Sequence, residues 1–138
     1  MYKKILIANN GSDGSFKALV EALRLSRANK SEAHMIYVEE NIPWSAPEAG
    51  GRKKTLDRKF AELVAKAEAE AKLHGVKLMS HMVLGCPAEA IADFLLSGGG
   101  FNLLVIGFKG HSALYHWILG KTGDRLVELA PCPVLVAK

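Results

Sequence analysis

Short apolar runs alternate along the chain with longer stretches in which apolar residues recur every three or four positions. Ile5-Leu6-Ile7-Ala8 is the first run, and Asn9-Asn10-Gly11-Ser12-Asp13-Gly14 ends it, so it reads as a buried strand. Phe16, Leu19, Val20 and Leu23 then keep helical spacing, with the helix cap among Ser12, Asp13 and Ser15. His34-Met35-Ile36-Tyr37-Val38 predicts a second strand. The stretch from Glu39 to Gly51 holds two prolines and two glycines and reads as a loop. From about Lys53 to His74, the positions Leu56, Phe60, Leu63, Val64, Ala67 and Ala71 line one face of a long helix closed by Gly75. Phe60, Leu63 and Ala67 are expected to face the sheet, and Phe60→Asp to unfold the protein.

The second half repeats the alternation. Val76 to Val83 predicts a third strand. A helix with Pro87 in its first turn follows, with Ile91, Phe94 and Leu95 as its apolar face and Ser97-Gly98-Gly99-Gly100 as its stop. Leu103-Leu104-Val105-Ile106 predicts a fourth strand. A glycine-rich loop leads to a helix through Leu126, Val127 and Leu129, broken by Pro131-Cys132-Pro133 before a last strand, Val134-Leu135-Val136. Uniformly apolar strands separated by helices imply a parallel sheet covered on both faces, with right-handed crossovers. The expectation is an α/β, three-layer α/β/α sandwich, one domain over residues 1–138.

Composition narrows the function. At 138 residues, 49% hydrophobic and 23% charged, the chain is not a disordered one. Its net charge of +4 is mild. The one dense basic run, Arg52-Lys53-Lys54 with Arg58 and Lys59 beyond it, reads as a solvated helix start, so no nucleic-acid partner is expected. No apolar run approaches the ~18 residues of a membrane span, and Met1–Ile7 lacks a signal-peptide core. A cytoplasmic protein without a membrane partner is expected. Cys86 and Cys132 form no CxxC pair, and Cys86 is expected to be a small buried hydrophobe. The five histidines make no HExxH, and the five-residue spacing of His111 and His116 puts them on different helix faces, so no metal site is expected.

In an open parallel sheet, ligands bind beyond the carboxyl ends of the strands, where the strand order reverses. Asn9 and Asn10 after the first strand do not supply the acids of a phosphoacceptor receiver. Gly11-Ser12-Asp13-Gly14 is not the GxGxxG of a dinucleotide site, and Gly120-Lys121-Thr122 has Tyr115 where a Walker A loop needs its first glycine. The distinctive feature is Gly107-Phe108-Lys109-Gly110 directly after the fourth strand, with Gly120-Lys121-Thr122 opening the last helix. Glycines let backbone approach a ligand, and a helix start offers free N–H groups and partial positive charge. The pair could cradle phosphate; it could equally be a tight loop that needs glycine.

These residues resemble the universal stress protein family over nearly the whole length. The family's G-x2-G-x9-G-[S/T] pattern is matched by Gly107, Gly110 and Gly120. Leu103–Gly107, Ala130–Val136, Gly85–Ile91 and Gly11-Ser12 resemble family segments in the same order. The resemblance implies a Rossmann-like, adenine nucleotide alpha hydrolase-like fold with a five-stranded parallel sheet in the order 3-2-1-4-5. It implies ATP, with or without Mg²⁺, as the cofactor. Ala8, Asn9 and Asn10 would hold the adenosine and the Val38 backbone would meet adenine. Ile106, Gly107, Gly110, Gly120, Lys121 and Thr122 would hold ribose and phosphates. Tyr37 and Trp44 could stack on adenine. Two positions depart from the family: Asn10 stands where Asp is usual, and Lys121 separates Gly120 from the hydroxyl of Thr122. An amide still hydrogen-bonds but carries no charge, whereas lysine adds an attraction for phosphate.

Three readings follow. The first is a nucleotide-binding regulatory module with slow hydrolysis at most, since no general base stands out and His111 and His116 are near only in sequence. The second is a non-nucleotide family member acting through dimerisation and protein contacts. The third, an enzyme on the same layout, would need more strand-end acids than Glu39 and Glu40. The short last strand, if at the sheet edge, exposes unpaired backbone groups, and pairing with its copy would make a homodimer, as the resemblance also implies.

Overall fold

The computed structural model describes residues 1–40, 49–108 and 120–138. Five strands and four helices alternate: β1 (Lys4–Ala8), α1 (Asp13–Asn29), β2 (Glu32–Glu39), α2 (Ala49–Leu73), β3 (Leu78–Leu84), α3 (Pro87–Ser97), β4 (Leu103–Gly107), α4 (Gly120–Leu129) and β5 (Val134–Ala137). All strand pairs are parallel, in the order β3-β2-β1-β4-β5. Each predicted element is present. The clearest shifts in bounds are α2, which begins at Ala49 inside the predicted loop, and β3, which starts at Leu78 rather than Val76. Gly50 and Gly51 lie in the first turn of α2, where fewer intrahelical bonds depend on each residue.

The order explains the layering. The chain steps from β1 to β2 to β3 in one direction, then crosses back to β4 and β5 on the other side. Right-handed crossovers in opposite directions place their helices on opposite faces. One core cluster accordingly joins Ile5, Ile7, Met35, Leu103 and Val105 to Leu19 and Leu23 of α1 and Ala67 and Ala71 of α2. The other joins Leu6, Ile36, Leu104 and Ile106 to Ile91 and Leu95 of α3 and Leu126 of α4. Alternate residues of one strand serve both clusters, which is why β1 and β4 read as unbroken apolar runs. Leu63 and Ala67 of α2 pack as predicted, whereas Phe60 is only half-buried, tilted against Tyr37 with ring centres 6.2 Å apart.

Leu104 is fully buried at the centre of the second cluster. Leu104→Ala is expected to lower the unfolding free energy by about 2–5 kcal/mol through lost transfer energy and the cavity left behind. The half-exposed position of Phe60 makes Phe60→Asp the milder change. Urea unfolding of both variants checks the ranking, and a Phe60→Asp chain that loses more than Leu104→Ala would contradict it.

Candidate functional site

The strand order reverses between β1 and β4, and the residues following these two strands form the site's floor. Ala8, the last residue of β1, and Val38 and Ile106, next to last in β2 and β4, lie on the same face, the one covered by α3 and α4. Ala8 and Val38 are half-buried there, and Ile106 is buried. The structure thus brings three of the predicted residues together.

Asn9 points the other way. It is buried, and its Oδ1 accepts from the Gly11 N–H at 3.0 Å and from the Ser15 hydroxyl at 2.8 Å. Its Nδ2 lies 3.2 Å from the Met35 sulfur, and its own N–H donates to the Ile36 carbonyl at 3.0 Å. The side chain and N–H of Asn9 are therefore committed to joining β1, β2 and the start of α1. Asn10 is exposed instead. Its Oδ1 accepts from the Ser12 N–H at 3.0 Å, an Asx turn that uses only the oxygen, which Asp would supply equally well. Gly11 makes the turn with φ +88°, a conformation that favours glycine. Ser12 then caps α1: its Oγ accepts from the Ser15 N–H at 3.2 Å. Ser15 was not among the predicted site residues; its signal is a second hydroxyl three places after the cap.

Gly107 has a reason of its own to lack a side chain. A Cβ there would collide with the carbonyl of Gly14 and crowd the Ser15 nitrogen. A Cβ on Gly14 would in turn stand 2.6 Å from the Phe108 carbonyl oxygen. The first turn of α1 thus rests backbone against backbone on the end of β4. The glycine read in sequence as room for a ligand is first of all room for a helix.

Gly120 opens α4, Lys121 follows within the helix, and Thr122 is exposed. Because α4 runs back against the strands, its free N–H groups lie at the same end of the sheet as Ala8 and Gly107. Arg125 in α4 pairs with Glu89 of α3 at 2.6 Å, and this contact lowers the Glu89 pKa and raises that of Arg125. Both partners are solvent-exposed, so the pair aligns the two helices more than it stabilises them. Gly110, Trp44, His111 and His116 lie outside the described residues.

Two expectations are corrected. Tyr37 is 2% exposed on the α2 side of the sheet, its hydroxyl donates to Glu39, and burial pushes its pKa up, so it offers no face for a base to stack on. Cys86 is exposed at the N-cap of α3, not buried, because the chain turns outward after β3 to start the helix. Among the described residues, no group of three or more His, Cys, Asp or Glu side chains could hold a metal, and no helix is long and apolar enough to cross a membrane.

The model of the universal stress protein family matches residues 1–138. The chain belongs to the universal stress protein family. It is 32% identical to universal stress protein MJ0531 of Methanocaldococcus jannaschii, covering 100% of this chain and 83% of that protein. It is 34% identical to a Thermus aquaticus universal stress protein over 100% of both chains. Among solved structures, protein MJ0577 superposes with a TM-score of 0.84 at 24% identity, covering 100% of this chain and 96% of that one. A universal stress protein in complex with cAMP matches with a TM-score of 0.75 at 20% identity, covering 99% and 97%. An Arabidopsis thaliana member with AMP bound matches with a TM-score of 0.75 at 21% identity, covering 99% and 91%. These likenesses show the shared universal stress protein fold, and some of its holders bind adenine nucleotides.

The geometry separates the two asparagines. Asn9→Ala removes the acceptor of the part-buried Gly11 N–H and one of the two acceptors of the buried Ser15 hydroxyl, which keeps the Ser12 carbonyl, at a cost of about 1–3 kcal/mol in all, whereas Asn10→Ala loses one exposed turn bond and costs well under that. Gly107→Ala is expected to destabilise by about 1–3 kcal/mol through overpacking against Gly14. Thermal unfolding of the three variants without ligand reads these effects, and an unchanged melting temperature for Asn9→Ala or Gly107→Ala would contradict the assignment.

Proposed function

We propose that this universal stress protein is a regulatory module that binds an adenine nucleotide, with ATP as the ligand, and catalyses little or no hydrolysis. The observation that carries the reading is the convergence of Ala8, Val38 and Ile106 on one face at the reversal of strand order, with the free N–H groups of the α4 start at the same end of the sheet. Members with cAMP and AMP bound share this fold. The adenosine would rest on Ala8, the Asn9–Asn10 backbone and the exposed Asn10 amide, with the Val38 backbone meeting adenine. Ribose and phosphates would lie along Ile106, Gly107, Gly110, Gly120, Lys121 and Thr122.

The residues present fit this ligand. Asn10 keeps the turn that Asp would make and leaves an amide facing solvent. Lys121 adds a cation in the first turn of a helix whose dipole already favours phosphate. Mg²⁺, if it accompanies ATP, would be held by the phosphates and water, since Asn10 offers no carboxylate.

A homodimer through β5 belongs to the same proposal. β5 is an edge strand, and Leu135 on it and Val127 and Leu129 on α4 are exposed apolar residues close by in sequence. Antiparallel pairing of β5 with its copy would cover the free edge and these side chains.

Isothermal titration calorimetry with ATP, ADP and AMP, with and without Mg²⁺, tests the nucleotide reading. Micromolar binding that weakens as phosphates are removed, and that Gly110→Val abolishes, is the expected result. No heat from a folded, nucleotide-free preparation would turn the reading to the second one, a family member acting through protein contacts. Light scattering should return twice the 14.9 kDa chain mass; a single-chain mass at micromolar concentration would remove the dimer.

A further inference from the structure

Away from this site, the start of β2 and the middle of β3 bring together three titratable side chains. Glu32 opens β2 and His34 follows two places on. His34 lies opposite Met79 of β3 and Ile36 lies opposite His81, so the two histidines are diagonal neighbours on one face. His34 Nδ1 stands 2.8 Å from His81 Nε2, and His34 Nε2 stands 2.6 Å from Glu32 Oε1. The ring planes are 11° apart, with centres 5.1 Å apart. The facing nitrogens are far closer than the centres, so the rings meet edge to edge, nitrogen to nitrogen.

That arrangement is a hydrogen bond and not a metal site. Two Zn–N bonds of about 2.0–2.1 Å at a tetrahedral angle need nitrogens more than about 3 Å apart. The rings have little space to separate. His81 packs on Phe94 of α3 with centres 4.8 Å apart, and His34 lies edge-on to Phe101 at 5.1 Å.

The proton count follows from the donors available. Glu32 ionised holds the proton of His34 on Nε2, which leaves Nδ1 of the neutral ring as an acceptor. His81 then donates through Nε2–H and keeps Nδ1 as its free nitrogen. One added proton can sit on His81 Nδ1 and leave the link intact. A second must go to His34 Nδ1, which sets N–H against N–H and two positive rings side by side.

We propose that the His34–His81 contact is a single-proton latch, closed near neutral pH, which the second proton opens in mild acid, releasing His81 and the edge strand β3 from the aromatic cluster at the end of α3. The charges that face the latch are Glu32 of β2, Lys4 of β1 and each ring on the other, while α3 and the following loop present Phe94 and Phe101. Lys4 adds positive charge but is itself engaged, donating to the carbonyls of Gly98 at 3.0 Å and Gly99 at 2.8 Å beyond α3. Burial, then the charges of His34 and Lys4, hold His81 below the usual histidine range, and the hydrogen bond from His34 holds Glu32 below the usual carboxylate range.

The direction of the pH effect is set by the contact itself, which has room for one proton between the rings and disfavours the second, and the burial that lowers His81 acts in the same sense. The folded chain binds fewer protons than the unfolded one once the pH falls below the ordinary histidine value of about 6.5. Stability is therefore full above that pH and is lost as the pH falls through it toward the lower folded value.

Imidazole ¹⁵N NMR of the full chain from pH 8 to 5, with urea unfolding at both ends of the range, tests the latch. The pair is expected to take up its two protons in steps separated by more than about one unit. The folding constant of the wild type is expected to fall about tenfold for each unit by which folding lowers the second step. His81→Gln, which cannot be protonated, is expected to flatten that dependence, and Glu32→Gln to move the first step to lower pH. Two rings that titrate as one step, independently of each other, would overturn the proposal. So would parallel pH profiles for wild type and His81→Gln. The wild-type titration decides the matter even if a variant fails to fold.

Discussion

The start of α1 lies against the end of β4 with no side chain between them. Gly14 and Gly107 make that contact possible, because a methyl group on either would run into the other's backbone or its neighbour's. The contact fixes how the turn after β1 and the first turn of α1 sit over the end of β4. Asn9 reinforces it from below by tying β1, the Gly11 turn and Ser15 of α1 into one hydrogen-bonded unit. The Asn9–Ser15 side of the candidate site is thus held by its own hydrogen bonds.

Two polar regions of the sheet are built on different physics. At the carboxyl ends, polar groups are backbone N–H groups, exposed amides and a helix start, all suited to an anionic ligand. At the start of β2 and the middle of β3, a carboxylate and two imidazoles satisfy one another, and the Lys4 ammonium beside them bonds to backbone carbonyls over Phe101. The second set is closed on itself.

Much of the fold was legible in sequence because β1 and β4 are buried on both faces. Such strands have no polar alternation, and Ile5–Ala8 and Leu103–Ile106 therefore stand out as runs bounded by turn residues. The glycine spacing after β4 and the Gly11-Ser12 turn were equally visible, since turns and helix caps use a narrow choice of residues. Bounds were less legible. Nothing local distinguishes Ala49-Gly50-Gly51 as helix from the same residues as loop, and only continuation into α2 decides it.

What the sequence alone determined was the order of elements, the parallel sheet, the family, and the segments that meet at the candidate site. These depend on periodicity and on residues close together along the chain. Which face each side chain takes was left to the tertiary structure. Asn9 and Asn10 are identical neighbours in sequence, yet one is a buried clamp and the other an exposed turn residue, because successive residues leaving a strand point to opposite sides. Tyr37 goes beneath α2 for the same reason. Gly107 owes its missing side chain to a helix that begins more than ninety residues earlier. His34 and His81 are 47 residues apart and meet only because β2 and β3 pair in one register. Contacts of that kind have no local signature, and packing alone creates them.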